Sequence, residues 1–188
     1  MKPLRSRLLP AALLAAMLAV GCQKKEEAIK KKVVFTGPLL ETSNVLTLFS
    51  DSARLQIKLT APLEQQFESG DLVYSKGVMV TFYAKDGVQV VNTLRGNYGK
   101  YEKNKNLYVV RGNVVVNNEE KQQKLNTEEL FFDKQKAQIY TKPDMLVRVA
   151  TPTEILTGTG LTANQDFSRY RILHPTGVFT VAADPAKP

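Results

Sequence analysis

Leu107-Tyr-Val-Val-Arg-Gly-Asn-Val-Val-Val116 and Leu125-Asn-Thr-Glu-Glu-Leu-Phe-Phe-Asp133 are apolar runs separated by a polar turn that begins Asn117-Asn-Glu-Glu120. Their length and their Val, Tyr and Phe content read as strand, turn, strand. The pattern recurs at an offset of about 32 to 34 residues. Asn92-Thr-Leu-Arg-Gly-Asn-Tyr-Gly-Lys-Tyr101 carries the Thr and aromatic spacing of Asn126 to Phe132, and Ile139-Tyr-Thr with Met145-Leu-Val147 echoes Leu107-Tyr-Val with Val114-Val-Val116. A degenerate copy runs from Thr157-Gly-Thr-Gly-Leu-Thr162 into Tyr170-Arg-Ile172, and an earlier one spans Tyr74 to Phe82. Self-similarity at a fixed period means one unit stacked several times, each unable to bury its apolar face alone. Here the unit reads as a pair of strands.

Outward from this centre the same grammar holds. In Ser50 to Thr60, Ala53, Leu55, Ile57 and Leu59 share one side and Arg54, Gln56 and Lys58 the other, the period of a half-buried strand. Ala61-Pro62 is expected to end it, since Pro donates nothing to a ladder. Leu63 to Gly70 is open between a helical turn and a loop. Gly77 to Ala84 alternates again, and Asp86-Gly87 turns it back into Val88-Gln-Val-Val91. Short strands with turns every 8 to 12 residues or so predict an all-β domain over residues 33–181: a sandwich, a barrel or a jelly roll. Residues 182–188 are expected to be a disordered tail.

The first 21 residues place Lys2, Arg5 and Arg7 before an uncharged apolar run, Leu8 to Val20, and end at Gly21-Cys22. That order of parts is a secretory signal. The run is shorter than the roughly 20 residues of a membrane span. Cys22 is the sole cysteine, so no disulfide explains it. Its position after Ala19-Val-Gly21 resembles a bacterial lipobox, which makes residues 1–21 a lipoprotein signal peptide and Cys22 an acylated anchor. Residues 22–32 are charge-dense and read as a tether. Without Lys2, Arg5 and Arg7, 23 basic residues face 18 acidic ones, so about +5 of the formal +8 remains, a mild excess.

Catalysis fails on inventory. There is one His, the sole cysteine is taken up by the anchor, and no Ser stands in a nucleophile-elbow context, so neither a triad nor a Cys-His pair is expected. His174 reads as a loop or strand-end residue. Glu128 and Glu129 fall on opposite sides of a strand, and Asp86 and Asp133 fall in turns, so all four are expected to be solvated. No metal spacing or phosphate loop appears, no cofactor is implied, and neither charge nor export fits a nucleic-acid partner. Abundant apolar side chains on strands remain, either filling a closed core or lining an open groove.

Ser50 to Pro62, Gly77 to Gly87, Gly112-Asn-Val-Val-Val-Asn117, Leu125-Asn-Thr-Glu-Glu-Leu130 and Thr157-Gly-Thr-Gly-Leu161 resemble, in order and spacing, the LptC family in a lipoprotein form. LptC is the periplasmic component of the lipopolysaccharide export transporter. The resemblance implies a twisted, open-ended β-jelly roll of the LptA/LptC (OstA-like) type, whose apolar interior carries the acyl chains of lipopolysaccharide. It also implies end strands that pair with neighbours, an inner-membrane ABC transporter on one side and an LptA-like bridge on the other, and no enzymatic activity. Where the family often has a transmembrane helix this chain has Cys22, so residence at the inner membrane rests on the family role. The alternatives are an LptA-like bridge component, a lipoprotein interaction module without lipid cargo and, more distantly, a glycan-directed enzyme.

Arg148 and Arg171 alternate with Val147, Val149 and Ile172, which puts the apolar side of those strands inward. The groove is therefore expected to be lined by Val80 and Phe82, Val114 and Val116, Leu130 and Phe132, and Val147, Val149 and Ile172. Tyr170 to Leu173 and Gly177 to Val181 carry one charge between them and are expected to dock the bridge. Val33 to Phe35 and Ala53 to Leu59 are expected to face the transporter.

Overall fold

The computed structural model describes residues 35–165 and 167–179. The signal segment, Cys22, the tether, Val33, Val34 and residues 180–188 lie outside the described residues. The twelve strands are β1 (Leu40–Asp51), β2 (Arg54–Gln66), β3 (Leu72–Tyr74), β4 (Val78–Tyr83), β5 (Val90–Gly96), β6 (Tyr98–Glu102), β7 (Leu107–Asn118), β8 (Gln123–Asp133), β9 (Gln138–Tyr140), β10 (Leu146–Ala150), β11 (Glu154–Asn164) and β12 (Tyr170–Phe179). Every pairing is antiparallel, and all strands belong to one sheet.

The ladders reduce these strands to nine rungs in chain order: β1, β2, β3 with β4, β5 with β6, β7, β8, β9 with β10, β11 and β12. Each rung pairs with the rung before and after it in sequence, and each crosses from one layer to another halfway along. Thus Ile57 to Thr60 of β2 pairs with β4, whereas Gln65 and Gln66 pair with β3. Likewise Val115 to Asn118 of β7 pairs with β5, and Leu107 to Arg111 pairs with β6. Layer one holds β4, β5, β10 and one half of each long strand; layer two holds β3, β6, β9 and the other halves. The expected repeat is present, but its unit is a layer-crossing rung and its hairpin partner.

Crossing layers requires each rung to bend without losing its ladder. In β7, Arg111 faces Glu129 and Val114 faces Thr127, so Gly112 and Asn113 oppose Glu128 alone, a β-bulge. Gly112 has φ +73° and Asn113 φ 48°, the left-handed region open to Gly and tolerated by Asn. Asn44 in β1, Gly160 in β11 and His174 in β12 bend the same way. Side chains satisfy groups the bends release: Leu161 N donates to Thr141 Oγ1 at 2.8 Å, and Thr127 Oγ1 donates to the Leu146 carbonyl at 2.9 Å.

Several expectations are corrected here. Strand β2 does not stop at Pro62 but runs to Gln66, and Leu63 to Gln66 is strand rather than helix or loop. Pro62 lies opposite the bend at Asn44, where the register passes from Ser43–Leu63 to Val45–Ala61 and no ladder N–H is needed. The strand read from Ser50 to Thr60 is broken by the Ser52–Ala53 turn that joins β1 to β2, and Arg54 to Leu59 is no edge, because β1 pairs with it throughout. Strand β1 itself was illegible, since Leu46, Leu48 and Phe49 leave both of its faces apolar and exposed. His174 is at mid-strand, in the bend of β12.

One core lies between the layers. Leu59, Val78, Leu94, Val116, Leu125 and Val149 come from layer one; Tyr74, Val110, Leu130, Ile139, Leu161 and Ile172 come from layer two. The sheet does not close, because β1 pairs only with β2 and β12 only with β11.

Glu129 is the exception to the solvated carboxylates. It is 5% exposed, because Arg111 faces it across the ladder and Lys142 folds over it, with Nζ 2.6 Å from Oε2. Arg111 also covers Tyr98, and Lys142 covers Phe131, as cation–π contacts. Burial alone would push the Glu129 carboxyl up, but the bonds from Lys142 and Arg111 outweigh it and hold its pKa below the usual value. A lowered folded pKa gives stability that is present above the unfolded value, about 4.3, and is lost as pH falls through the folded one. Glu129→Gln should cost about 1 to 2 kcal/mol at neutral pH, since the stranded cations stay half exposed. It should also shrink the loss of stability on acidification below pH ~4, as read by urea unfolding across pH.

Candidate functional site

The register sets the inner face of each layer as cross-strand rows. In layer two one row runs Leu72, Tyr101, Tyr108, Phe132, Ile139, Ala163 and Tyr170, through six successive pairings. Tyr101 stacks on Tyr108 at 4.4 Å, and Tyr108 lies 6.0 Å from Phe132. In layer one a row runs Leu59, Val80, Leu94, Val116, Leu125, Val149 and Leu156. A sheet's period of two aims both rows at the interlayer space.

Near the N-terminal rungs that space is not filled. A cavity of about 460 Å³ lies between Ile57, Leu59, Val80, Phe82 and Leu94 on one side and Tyr74, Tyr108, Leu130, Phe132 and Ile139 on the other. Its lining comes from β1 to β9, from Lys134 in the turn between β8 and β9, and from Gln165 and Phe167 in the turn after β11. Toward the C-terminal rungs the layers come together, with a cleft of about 10 Å³ among Val116, Leu125, Val149, Phe167 and Tyr170. That is room for about one water.

All nine residues expected to line a groove point inward, as core members or packed against the core, while Arg148 and Arg171 are exposed. They do not surround one space. Val80, Phe82, Leu130 and Phe132 line the large cavity; Val116 and Val149 line the cleft; Val114, Val147 and Ile172 are buried at 0%, 1% and 8% exposure. Sequence reasoning missed Ile57, Leu59, Leu94 and Tyr108, although alternation already put Ile57 and Leu59 on one side of their strand. It also missed Phe167, which belongs to no periodic run.

Two lysines border the cavity, but Lys100 alternates with the inner-row Tyr101, so its side chain turns to the outer face of layer two. Lys100 is half-buried, and burial works against its charge; ion pairs with Glu102 at 3.3 Å and Asp71 at 3.5 Å outweigh that and hold its pKa above the ordinary value. Lys134 is exposed at the lip. Burial pushes the Tyr74 hydroxyl up, and its 2.9 Å bond to Glu64 adds to the shift. An apolar chamber with the Lys134 ammonium at its lip suits an amphiphile whose alkyl part goes in and whose anionic part stays at the rim. Among the described residues there is no cluster of metal-binding side chains.

Phe132→Ala should enlarge the cavity at a cost of about 3 kcal/mol or less, at the low end for a buried aromatic, because the ring already borders empty space on one side. Thermal unfolding of the variant measures this.

No curated protein matches the chain. The family described as "Lipopolysaccharide-assembly, LptC-related" matches residues 11–177, which takes in every rung from β1 through most of β12. Its members are non-enzymatic transport components of the cell envelope. With an open two-layer antiparallel fold around an apolar interlayer cavity, the chain belongs to the LptC-related family of lipopolysaccharide-assembly proteins.

Proposed function

We propose that this chain is an acyl-anchored periplasmic relay that takes lipopolysaccharide from an inner-membrane ABC transporter and passes it to an LptA-like bridge. The single observation that carries this reading is the apolar cavity between the layers of a family member, with Lys134 at its lip. Acyl chains enter the interlayer space, and the phosphate-bearing part stays at the rim. The nine inward residues bind cargo in stages: Val80, Phe82, Leu130 and Phe132 first, then Val114, Val116, Val147, Val149 and Ile172 as the chains move along the rungs. A photo-crosslinker in place of Phe132 should capture lipopolysaccharide in cells, and one in place of Arg148 should not. Equal capture at both would reject the inward face as the binding face.

Free ladder edges at the two ends support the relay. A soluble monomer normally blunts such edges with charge. Here β1 exposes Leu46, Leu48 and Phe49, and β12 exposes Val178 at 72%. Each end can extend a neighbour's sheet, with main-chain bonds giving affinity and alternate side chains giving selectivity. The β12 edge takes the bridge and the β1 edge faces the transporter, a role that passes to β1 from the covered strand β2. Val178→Pro removes a donor from an edge strand and should abolish bridge pull-down while the circular dichroism spectrum stays that of the parent. Retained binding would place the bridge elsewhere.

The anchor is acylated Cys22, and more than one acyl chain at this site would exceed the marginal membrane affinity of a single chain. Cys22→Ser should release the protein from the membrane or leave its signal uncleaved. An unmodified cysteine in mass spectra of the native N-terminus would refute the anchor.

A further inference from the structure

The boundary between the open and the closed half of the interlayer space is one side chain. Phe167 lines both the 460 Å³ cavity and the 10 Å³ cleft, and it is 5% exposed although it belongs to a turn. Its φ of 53° is rare for a bulky residue, so the turn holds the ring inward against a backbone preference.

What holds it is a strap across the mouth. Asn164 organises the turn: its carbonyl accepts from Phe167 N at 3.0 Å, its Nδ2 donates to Ser168 Oγ at 2.6 Å, and its Oδ1 accepts from Arg169 N at 2.9 Å. The turn lies at the layer-two edge. From the layer-one edge, in the turn between β7 and β8, Lys121 Nζ donates to the Ser168 carbonyl at 2.9 Å. Asn164, Ser168 and Lys121 thus tie the two lips together beside Phe167, and all these bonds except that of the Phe167 amide lie at the exposed surface.

We propose that Phe167 is a gate that limits how far an alkyl chain extends along the groove, and that release of the Lys121–Ser168 strap withdraws it and opens the C-terminal half. This rests on the groove reading above. A cavity of about 460 Å³ is in the range of a site for one small ligand, roughly 300 to 1,000 Å³, and a lipid with several chains needs more. Along the groove, additional room would open where Val116, Val149 and Tyr170 now meet Phe167. The gate therefore selects against deep entry until the strap opens, and it separates loading at the N-terminal rungs from delivery at the C-terminal edge.

The test uses the full-length protein with purified lipopolysaccharide micelles and a photo-crosslinking phenylalanine analogue at one of two positions, Phe132 in the cavity or Tyr170 in the cleft. In the parent chain capture should be strong at Phe132 and weak at Tyr170. Lys121→Gln, a surface change that leaves the core intact, and Phe167→Ala should each raise capture at Tyr170 several-fold with capture at Phe132 unchanged. If neither variant raises Tyr170 capture while Phe132 labels normally, Phe167 is core packing only and the gate is rejected. Absence of labelling at Phe132 in the parent chain would instead reject the groove itself.

Discussion

Everything in this molecule depends on keeping an antiparallel ladder intact while each strand turns a corner. Backbone groups at a bend lose their partners unless a bulge, a left-handed residue or a side chain replaces them. Gly112 with Asn113, Thr141, Thr127 and the Pro62–Asn44 pair each solve that problem locally. Because the bends align from rung to rung, one continuous sheet becomes two facing layers. The core, the cavity and the two free edges all follow from this folding over. A flat sheet of the same sequence would expose both inner rows to water.

Legibility in the sequence tracked burial on two sides. The runs Leu107 to Val116 and Leu125 to Asp133 sit centrally and read as strands at once, and Arg148 and Arg171 correctly oriented the C-terminal rungs. Strand β1 carried no signal because Val45 and Phe49 on one face and Leu46 and Leu48 on the other are all apolar, so polarity marks neither face. Pro62 misled because the rule against proline in a ladder holds only where an N–H is required. Glu129 misled for a related reason: alternation places a side chain on the outer face but says nothing of what folds over it, and there Arg111 and Lys142 do.

The inner face was legible, and the volume behind it was not. Nine inward residues were identified, yet whether facing rows meet or stand apart depends on the separation of the layers, which no periodicity encodes. Leu130 and Phe132 border space, whereas Val114 and Val147 on equivalent inner faces are fully packed. Phe167 lay beyond reach because its orientation comes from a turn hydrogen-bonded around Asn164.

The order of the rungs has a kinetic consequence. Since every rung pairs with its neighbour in sequence, the loops to be closed between partners are short, and no strand waits for a distant segment before it can pair. Most all-β domains of this size carry high contact order and fold slowly. A meander of this kind can grow instead by nearest-neighbour addition, each completed hairpin templating the next, as in solenoid repeats. The terminal rungs, held on one side only, are then the first to detach under thermal agitation and the last to be protected from solvent exchange.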